Sequence, residues 1–381
     1  MARLGDVATY VNGYAFKPTD WSDEGIQIIR IQDLTGNSYQ ANRFNGEYAP
    51  KYEVNNGDVL ISWSASLGVY VWAGEKAVLN QHIFKVQFDK VDVDKNFFVH
   101  QVECILNKAA GDAHGATMKH LTKPVFDALS FYLPNIQEQK KIANEIDTVT
   151  RLISLRKQQL SKLDELVKSR FIEMFGDPII NEKGWTVSTL GEYMTLLTDF
   201  SANGSYELLD SNVVMYDEPN YAVMVRTTDL ESGDLSNGVK YIDQAAYELL
   251  SKSKLYGGEL IMNKIGSAGK VYIMPFISKP ASLGRNAFMF RFDDRINMTY
   301  LYTLLTSDYG TNEIQQYVRG AVTKTITKES ARSIRVIVPP IELQKQYATF
   351  VKQTDKSKFE IQQSLEKLET LKKALMQKYF G

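Results

Sequence analysis

The glycine-rich string from Gly266 to Val271 is the part of the sequence most similar to a catalytic motif, because it resembles a phosphate-binding loop. Such loops need a glycine five positions before the second glycine, and a serine or threonine directly after the lysine to bind magnesium. Here Lys264 occupies the first of these positions and Val271 the last, so we predict a turn. The sequence also lacks Asn/Asp-Pro-Pro-aromatic, Gly-x-Gly-x-x-Gly and Gly-x-Ser-x-Gly strings. These features favour a binding protein over an autonomous enzyme.

The composition does not indicate a metal site, a disulfide bond or a membrane-spanning segment. Cys104 is the only cysteine among 381 residues, and the four histidines are scattered without metal-ligand spacing. We therefore expect neither a metal nor another cofactor on this chain. The first residues lack an apolar signal core and no stretch approaches about 18 apolar residues, so we expect a cytoplasmic protein. The net charge of −1 leaves nucleic-acid binding to be decided from local charge.

A first polar cluster has the residue type that contacts DNA phosphates. Lys119 and Lys123 follow one glycine, and Lys324 and Lys328 follow another at the same spacing. Lysine contacts with phosphates position a duplex without reading its sequence, so we predict that these four lysines bind the DNA backbone. Solvated loop charge is the alternative, and the recurrence of the lysines at matching positions counts against it.

A second group of candidate side chains lies mostly next to short apolar runs, where strand ends would present them to base edges. Asn and Gln favour adenine, Arg favours guanine, and small polar residues fit close to a groove. The candidates are Tyr14, Lys17, Arg30, Ser62, Trp63, Ser64, Gln81 and His82 in the first half, and Arg226, Lys264, Ser267, Arg285 and Asn286 in the second. The two sets differ, as two readers of different sequence would, but each polar residue is equally suited to cap a turn.

These candidates belong to an internal repeat that divides the chain into two similar halves. Residues 115–176 match residues 320–381 without a gap, with 18 identities in 62 positions. Upstream the offset between the copies shrinks, as where residues 4–6 match residues 190–192, so the second copy carries insertions. Loops vary in length whereas a helix cannot change register, so the gapless part indicates a helix and the gapped part a globular domain.

Short runs of β-branched and aromatic residues, separated by Gly, Asn, Asp and Pro, predict a strand-rich domain in each half. Strands are expected near 26–31, 58–62, 69–72 and 82–88, and near 221–226, 259–263, 271–274 and 287–292. Apolar residues at helical spacing predict one helix per domain, over 97–108 and around 298–305. We therefore predict a mixed α/β (α+β) fold with two strand-rich domains in a tandem pseudo-twofold repeat.

A long amphipathic helix is predicted after each domain, because residues 136–174 contain no Pro or Gly and many strong helix formers. Apolar residues recur at steps of three and four, which is typical of a coiled-coil seam. Polar residues interrupt this pattern at the middle of each helix. The seam residues are Ile142, Ile146, Val149, Ile153, Leu160, Leu163 and Val167, and in the second copy Val351, Thr354, Lys358, Ile361, Leu365, Leu368, Leu371 and Leu375. Each helix is about 55 Å long. Antiparallel pairing of the two helices within the chain is expected, and pairing between two chains is the alternative.

The predicted boundaries follow the helix end signals. Phe175-Gly176 ends the first long helix, and Asp177-Pro178 prevents its continuation. We place the domains at 1–134 and 189–339, the long helices at 135–176 and 340–381, and the linker at 177–188.

The order of a strand-rich domain, a Pro-x-Ile-x-x-Gln-Lys helix start, a long helix and a terminal Phe-Gly, found twice, resembles the DNA-specificity subunit of type I restriction-modification systems. Residues 4–7, 57–62, 133–139 and 266–271 are also similar to strings that recur in that family. The resemblance implies two target recognition domains, inverted relative to each other, that read the halves of a bipartite asymmetric site on double-stranded DNA. The helices would then act as a ruler for the unread spacer.

The resemblance also implies partners that carry the chemistry. Two modification subunits would supply S-adenosylmethionine and methyl transfer, and restriction subunits would supply ATP- and Mg²⁺-dependent translocation and cleavage. This chain would catalyse nothing itself. A type IIB-like system, with a fused restriction-methyltransferase partner, has the same sequence features and differs in the subunit that co-purifies. A coiled-coil scaffold that binds proteins is the remaining alternative, and it predicts no sequence-selective DNA binding.

Overall fold

The computed structural model describes residues 1–37, 42–64, 66–111 and 122–381. It divides the chain into two compact units, the first comprising residues 1–159 with 361–381 and the second residues 160–360. Each long helix is thus divided between the units near its midpoint. Lys119, one of the four predicted phosphate contacts, lies outside the described residues.

The first unit is built on an antiparallel sheet, a mixed sheet and a two-stranded ribbon. Its strands are β1 (Ala2–Arg3), β2 (Thr9–Asn12), β3 (Ile26–Ile29), β4 (Arg43–Phe44), β5 (Glu53–Val54), β6 (Val59–Ser62), β7 (Gly68–Val71), β8 (Ala77–Leu79), β9 (Ile83–Gln87) and β10 (Ser130–Phe131), and its helices are α1 (Leu4–Val7), α2 (Ile31–Leu34), α3 (Lys95–Gly111), α4 (Lys123–Asp127) and part of α5 (Ile136–Phe175). The antiparallel sheet has the order β2, β9, β6, β7. The mixed sheet has the order β4, β3, β8, β5, with β3 and β8 parallel, and β1 pairs with β10.

The second unit repeats this arrangement strand for strand. Its strands are β11 (Thr186–Thr189), β12 (Met194–Asp199), β13 (Ala222–Val225), β14 (Lys240–Ile242), β15 (Lys254–Leu255), β16 (Leu260–Asn263), β17 (Val271–Ile273), β18 (Ala281–Leu283), β19 (Ala287–Phe292) and β20 (Arg335–Val338), and its helices are α6 (Tyr206–Asn212), α7 (Thr227–Ser232), α8 (Gln244–Leu249), α9 (Met298–Thr306), α10 (Asp308–Gln315), α11 (Lys328–Ser333) and part of α12 (Ile341–Phe380). The sheet orders are β12, β19, β16, β17 and β14, β13, β18, β15, with β11 paired to β20. The mixed α/β fold and the tandem repeat are confirmed.

Strands β6 and β16, one of the two central strands in each antiparallel sheet, are buried on both faces, which explains their runs of apolar residues. In β6, Ile61 packs into the core formed with α3 and the long helix, around Phe97 and Ile146. Its neighbour Leu60 points to the opposite face and packs against the mixed sheet at Leu79. The first unit is therefore layered, with helices, the antiparallel sheet and the mixed sheet in that order.

Within each unit the two long helices pack antiparallel. In the first unit Lys157 pairs with Glu369 at 3.1 Å, and the Tyr379 hydroxyl donates to Glu145 at 2.7 Å, so residues later in α12 meet residues earlier in α5. In the second unit Lys358, a polar position in the seam, pairs with Asp164 at 2.6 Å. The first long helix thus provides an ion-pair partner for one of the polar residues at the midpoint of the second.

The prediction that Leu371 lies in the helix seam is wrong, because this side chain is 45% exposed. The apolar stripe of α12 changes direction near the end of the helix. Leu375, Met376, Tyr379 and Phe380 all pack against the globular core of the first unit. Since α12 contacts that core as well as α5, its buried face moves away from Leu371.

A buried glutamine joins each long helix to its domain, which explains the repeated Pro-x-Ile-x-x-Gln string. The Gln344 amide nitrogen donates to the Pro339 carbonyl at 2.7 Å, and its oxygen accepts from the Asn297 backbone N–H at 2.8 Å. In the first unit Gln139 makes the same two bonds, to the carbonyl of Pro134 and from the N–H of Asp94. Gln344 is 0% exposed, so water does not replace these bonds.

Replacing Gln344 by methionine is expected to lower the free energy of unfolding of the second unit by about 2–4 kcal/mol. Methionine has a similar size, but it leaves the partly buried Asn297 N–H and the buried Pro339 carbonyl unpaired, at up to about 1–3 kcal/mol for each group. Chemical denaturation of the full chain measures the loss. Gln346→Met at an exposed position of the same helix is the control, and equal stability of the two variants would contradict this role for Gln344.

Candidate nucleic-acid interface

In the second unit, several candidate residues gather at one edge of the two large sheets. Strands β12 and β16 both run antiparallel to β19, so they end at the edge where β19 begins. In the mixed sheet, β13 and β18 are parallel and end together, and the chain passes from β18 directly to β19. We call this region the second strand-end edge, and it comprises Asp199, Arg226, Lys264, Arg285, Asn286 and Lys328.

Asp199, the last residue of β12, lies between two of the candidate lysines. Its Oδ2 accepts from Lys264 Nζ at 2.8 Å, and its Oδ1 accepts from Lys328 Nζ at 2.7 Å. Burial raises the pKa of the Asp199 carboxyl, but the hydrogen bonds and charges of the two lysines outweigh burial and hold this pKa below its ordinary value. Asp199 therefore remains an anion and fixes both lysines.

Arg285 lies in an aromatic and acidic setting beside these lysines. Its guanidinium is 5.1 Å from the centre of the Phe200 ring and 5.5 Å from that of Tyr206, and it donates to Asp210 at 2.9 Å. Arg285 also lines a cavity of about 350 Å³ together with Arg226, Asn286 and several apolar side chains. The structure therefore brings Arg226 next to Arg285 and Asn286, which lie 59 and 60 positions later in the sequence.

Arg226 is held by hydrogen bonds inside its own domain. Its guanidinium donates through Nε and Nη2 to the buried Asp229, and Nη2 also donates to the Gly238 carbonyl at 2.7 Å. These hydrogen bonds from Arg226 to Asp229 raise the pKa of the guanidinium. In the first unit, Arg30 likewise precedes a short helix, and its backbone N–H donates to the Asp33 carboxylate at 2.7 Å. The repeated Arg-x-x-Asp string is thus a helix start in both units.

The glycine-rich string after β16 is a turn, as the sequence predicts. It connects the antiparallel strands β16 and β17, and Gly266 and Gly269 have φ of +83° and +88°. Positive φ favours glycine, and no helix follows to provide the N-terminal amides of a phosphate loop. Ser267 and Lys324 are exposed here, and they line a cavity of about 440 Å³. The Lys324 carbonyl accepts from the Gly266 N–H at 3.0 Å, which fixes the two loops together.

The first unit has a strand-end edge in the same place, formed by Asn12, Trp63, Gln81 and His82. The Trp63 indole donates to Asn12 Oδ1 at 3.2 Å, and the Trp63 ring lies 4.9 Å from the His82 ring. His82 has φ of +72°, an uncommon conformation for a non-glycine residue. This first strand-end edge is aromatic, whereas the second is cationic.

Strand register shows that the two edges carry different residues at equivalent positions. Asn12 is paired with Phe84 on β9, and Asp199 is paired with Phe288 on β19. Trp63 and Lys264 each follow the last residue of the equivalent strands β6 and β16. An amide–indole hydrogen bond in one unit therefore replaces a carboxylate–ammonium ion pair in the other.

The remaining first-unit candidates have varied settings. The carbonyl of Tyr14 accepts from the Gln81 N–H at 2.8 Å, which brings the Tyr14 segment to the edge, and the Tyr14 side chain is 46% exposed. Ser62 is fully buried and its hydroxyl donates to the Ser66 carbonyl, so it supports the turn. Ser64 is buried, Lys17 is exposed, Arg30 lies 5.1 Å from the Trp21 ring, and Lys123 pairs with Asp127 at 2.6 Å.

Sequence reasoning missed Asn12 and Asp199. Neither residue belongs to a recognisable motif, and the partners of Asp199 lie 65 and 129 positions away. Extending the match between residues 4–6 and 190–192 pairs Asn12 with Thr198, one residue before Asp199, because β12 has an irregular register between Met194 and Leu196. Among the residues that the structure describes, we find no cluster of three metal-ligating side chains, and no helix is long and apolar enough to cross a membrane.

The fold and the two edges define a tandem recognition protein, in which one strand-rich framework occurs twice and presents different side chains at the same strand ends. The family model of the type I restriction modification DNA specificity domain matches residues 1–165 and 182–373. The chain therefore belongs to this family, with two target recognition domains in tandem.

Relatives of this family match almost the entire chain. The specificity subunit of the type I restriction enzyme EcoBI from Escherichia coli is 22% identical over 410 residues, covering 99% of this chain and 84% of the relative. The MjaVIII specificity subunit from Methanocaldococcus jannaschii is 22% identical and covers 99% and 90% respectively. The crystal structure of a type I S subunit from M. genitalium has a TM-score of 0.59 at 15% identity, covering 100% of this chain and 95% of that one. At this identity the structural likeness shows the fold.

Proposed function

We propose that this chain provides the DNA sequence specificity of a type I restriction-modification enzyme, and that each unit reads one half of a bipartite asymmetric site. The observation that carries the proposal is the pair of strand-end edges. They occupy equivalent positions in one repeated framework and differ in the side chains that would meet DNA. A framework that is kept while its edge residues change is suited to two independent readers.

The side chains of the edges are suited to two kinds of contact with DNA. Lys264 and Lys328 contact phosphates, which orients the duplex, and Arg285 and Asn286 contact base edges, where arginine favours guanine and asparagine favours adenine. In the first domain, Trp63 and His82 offer flat aromatic surface beside the amide of Gln81. Binding in this mode weakens as salt rises, because the phosphate contacts release counterions.

The long helices set the spacer length and bind the partner subunits. Several apolar side chains on them are more than a third exposed, and exposed apolar surface of this kind is typical of protein interfaces. They are Leu152, Leu155, Leu166, Ile172, Phe359 and Leu371. Two modification subunits dock there and carry S-adenosylmethionine, and restriction subunits that use ATP and Mg²⁺ complete the assembly. This chain acts in the cytoplasm, catalyses no reaction and binds no cofactor itself.

Methylome sequencing of cells that express this chain with its modification partner tests the proposal. We expect methylation at one bipartite motif, two short defined half-sites separated by an undefined spacer, and no such motif in cells with the modification partner alone. A protein-binding scaffold predicts no difference between these cells, so that result would count against DNA recognition. The co-purifying subunit distinguishes a type I system from a type IIB-like one.

A further inference from the structure

We infer that Asp199 is a positioning residue that makes Lys264 and Lys328 a single clamp for one DNA backbone phosphate, in the second recognition domain only. The inference rests on the proposed function and deepens it. It starts from the ion-paired triad, in which one carboxylate accepts a hydrogen bond from each of two ammonium groups, at 2.8 and 2.7 Å.

The geometry of this triad suits a phosphate diester. The two oxygens of one carboxylate are about 2.2 Å apart, so bonds of this length keep the two ammonium nitrogens within about 8 Å of each other. The two non-bridging oxygens of a phosphate diester are separated by a distance similar to that between the two carboxylate oxygens. One phosphate can therefore accept hydrogen bonds from both lysines. Each ammonium has three N–H donors, and the bond to Asp199 uses one of them.

The burial of the three side chains places the cations between the anion and the solvent. The Asp199 side chain is 8% exposed, against 15% for Lys264 and 39% for Lys328. A phosphate that approaches from solvent therefore meets the ammonium groups before the carboxylate. Asp199 is too buried to contact DNA itself, so it acts through the lysines.

The backbones that carry the two lysines are also fixed. The Lys264 N–H donates to the Asn286 carbonyl at 2.8 Å, and the Lys264 carbonyl accepts from the Ile326 N–H at 3.0 Å. Lys328 begins α11, directly after Thr327, whose hydroxyl accepts from the Ser330 N–H at 3.1 Å. With the side chains held by Asp199, the loss of lysine rotamer freedom occurs on folding instead of on DNA binding. The clamp is thus preorganised.

The described residues of the first domain do not form this arrangement. Asn12 and Trp63 stand where the second domain has Asp199 and Lys264, and they form a neutral hydrogen bond. Lys123, the counterpart of Lys328, pairs instead with Asp127, four residues later on its own helix. We therefore expect the second half-site to depend more strongly on phosphate contacts than the first.

The test uses Asp199→Asn in the full chain assembled with its modification subunits. Asparagine keeps the shape of Asp199 but removes the charge that holds the lysines. We expect affinity for the cognate duplex to fall about tenfold, and affinity for an unrelated duplex to stay equal or to rise, because the lysines remain and one negative charge is lost. Fluorescence anisotropy at several salt concentrations measures both affinities and their salt dependence.

Glu259→Gln is the matched control. Glu259 is a buried carboxylate just before β16, at the opposite end of that strand from Lys264, and it pairs with Arg291 at 3.1 Å. This variant loses a comparable buried ion pair but is expected to bind both duplexes within about twofold of the unmodified chain. Lys328→Met is the second variant if Asp199→Asn is too unstable to assemble. It leaves Asp199 paired with Lys264 but removes one of the two phosphate donors, so we expect affinity to fall for both duplexes and to fall further for the cognate one. Unchanged affinity for the cognate duplex would overturn the clamp.

A double-mutant cycle separates positioning from general structure. The double variant Asp199→Asn, Lys264→Met is expected to bind the cognate duplex within about twofold of Lys264→Met, because the loss of Lys264 already breaks the two-lysine clamp through which Asp199 acts. Additive losses, or equal losses on cognate and unrelated duplexes, would overturn the inference. If the complex without any substitution fails to prefer the cognate duplex, the proposed function is overturned instead. The two failures are therefore distinguishable.

Discussion

Replacing Tyr347 by alanine is expected to lower the free energy of unfolding of the second unit by about 4 kcal/mol, as for other fully buried aromatic side chains. Tyr347 is 0% exposed and belongs to α12. Its ring lies 5.5 Å from both Phe171 and Phe175, which belong to α5. Its hydroxyl is 3.4 Å from Thr303 Oγ1 on α9, so a single side chain joins both long helices to the globular core.

Two further variants show whether the loss of stability comes from the Tyr347 ring, from its hydroxyl, or from removing any aromatic side chain of the same helix. Tyr347→Phe keeps the ring and is expected to cost about 1 kcal/mol or less, because the hydroxyl makes only long hydrogen bonds. Phe359→Ala removes a ring that is 63% exposed in the same unit, and is expected to change stability by about 0.5 kcal/mol or less. Calorimetry and hydrogen exchange of the full chain measure the three. A loss for Phe359→Ala as large as that for Tyr347→Ala would contradict the assignment of Tyr347 to the core.

The long helices could be predicted closely from the sequence, because their signals are local. Apolar spacing and the absence of Pro and Gly indicate the helix, and Gly176 marks its end with φ of +77° and an N–H that donates to Ile172. Strands near 26–31, 58–62, 69–72 and 82–88 correspond to β3, β6, β7 and β9 for the same reason. Local chemistry decides these elements, so one sequence is sufficient to find them.

Pairings between distant residues could not be predicted in the same way. The short strand β8 is three buried residues long and has no alternation, yet it pairs in parallel with β3 about 50 positions earlier. The sequence likewise indicates that a glutamine occurs at matching positions of both copies, but not that Gln344 forms a hydrogen bond with Asn297. Asp199 is the clearest case, because its role depends on Lys264 after β16 and Lys328 at the start of α11, which only the tertiary fold brings together.

Adding one heptad to each long helix is expected to lengthen the unread spacer while leaving both half-sites unchanged. Seven residues extend a helix by about 10 Å, which corresponds to at most about three base pairs at about 3.4 Å each. We expect a gain of one to three base pairs, and complete loss of methylation at the original target. Insertions after Gln159 and Glu360 place the additions where the chain divides between its units.

The heptad is chosen because it keeps the seam in register, since apolar positions recur every 3.5 residues on average and each heptad shifts the stripe by only about 20°. A chain in which residues 153–159 and 354–360 are replaced by heptads of the same pattern, without a change in length, is the control and should keep the original spacer. Methylome sequencing reads half-sites and spacer together. A lengthened chain that kept the original spacer would contradict the ruler, whereas altered half-sites would mean that the helices also determine how the strand-end edges meet DNA.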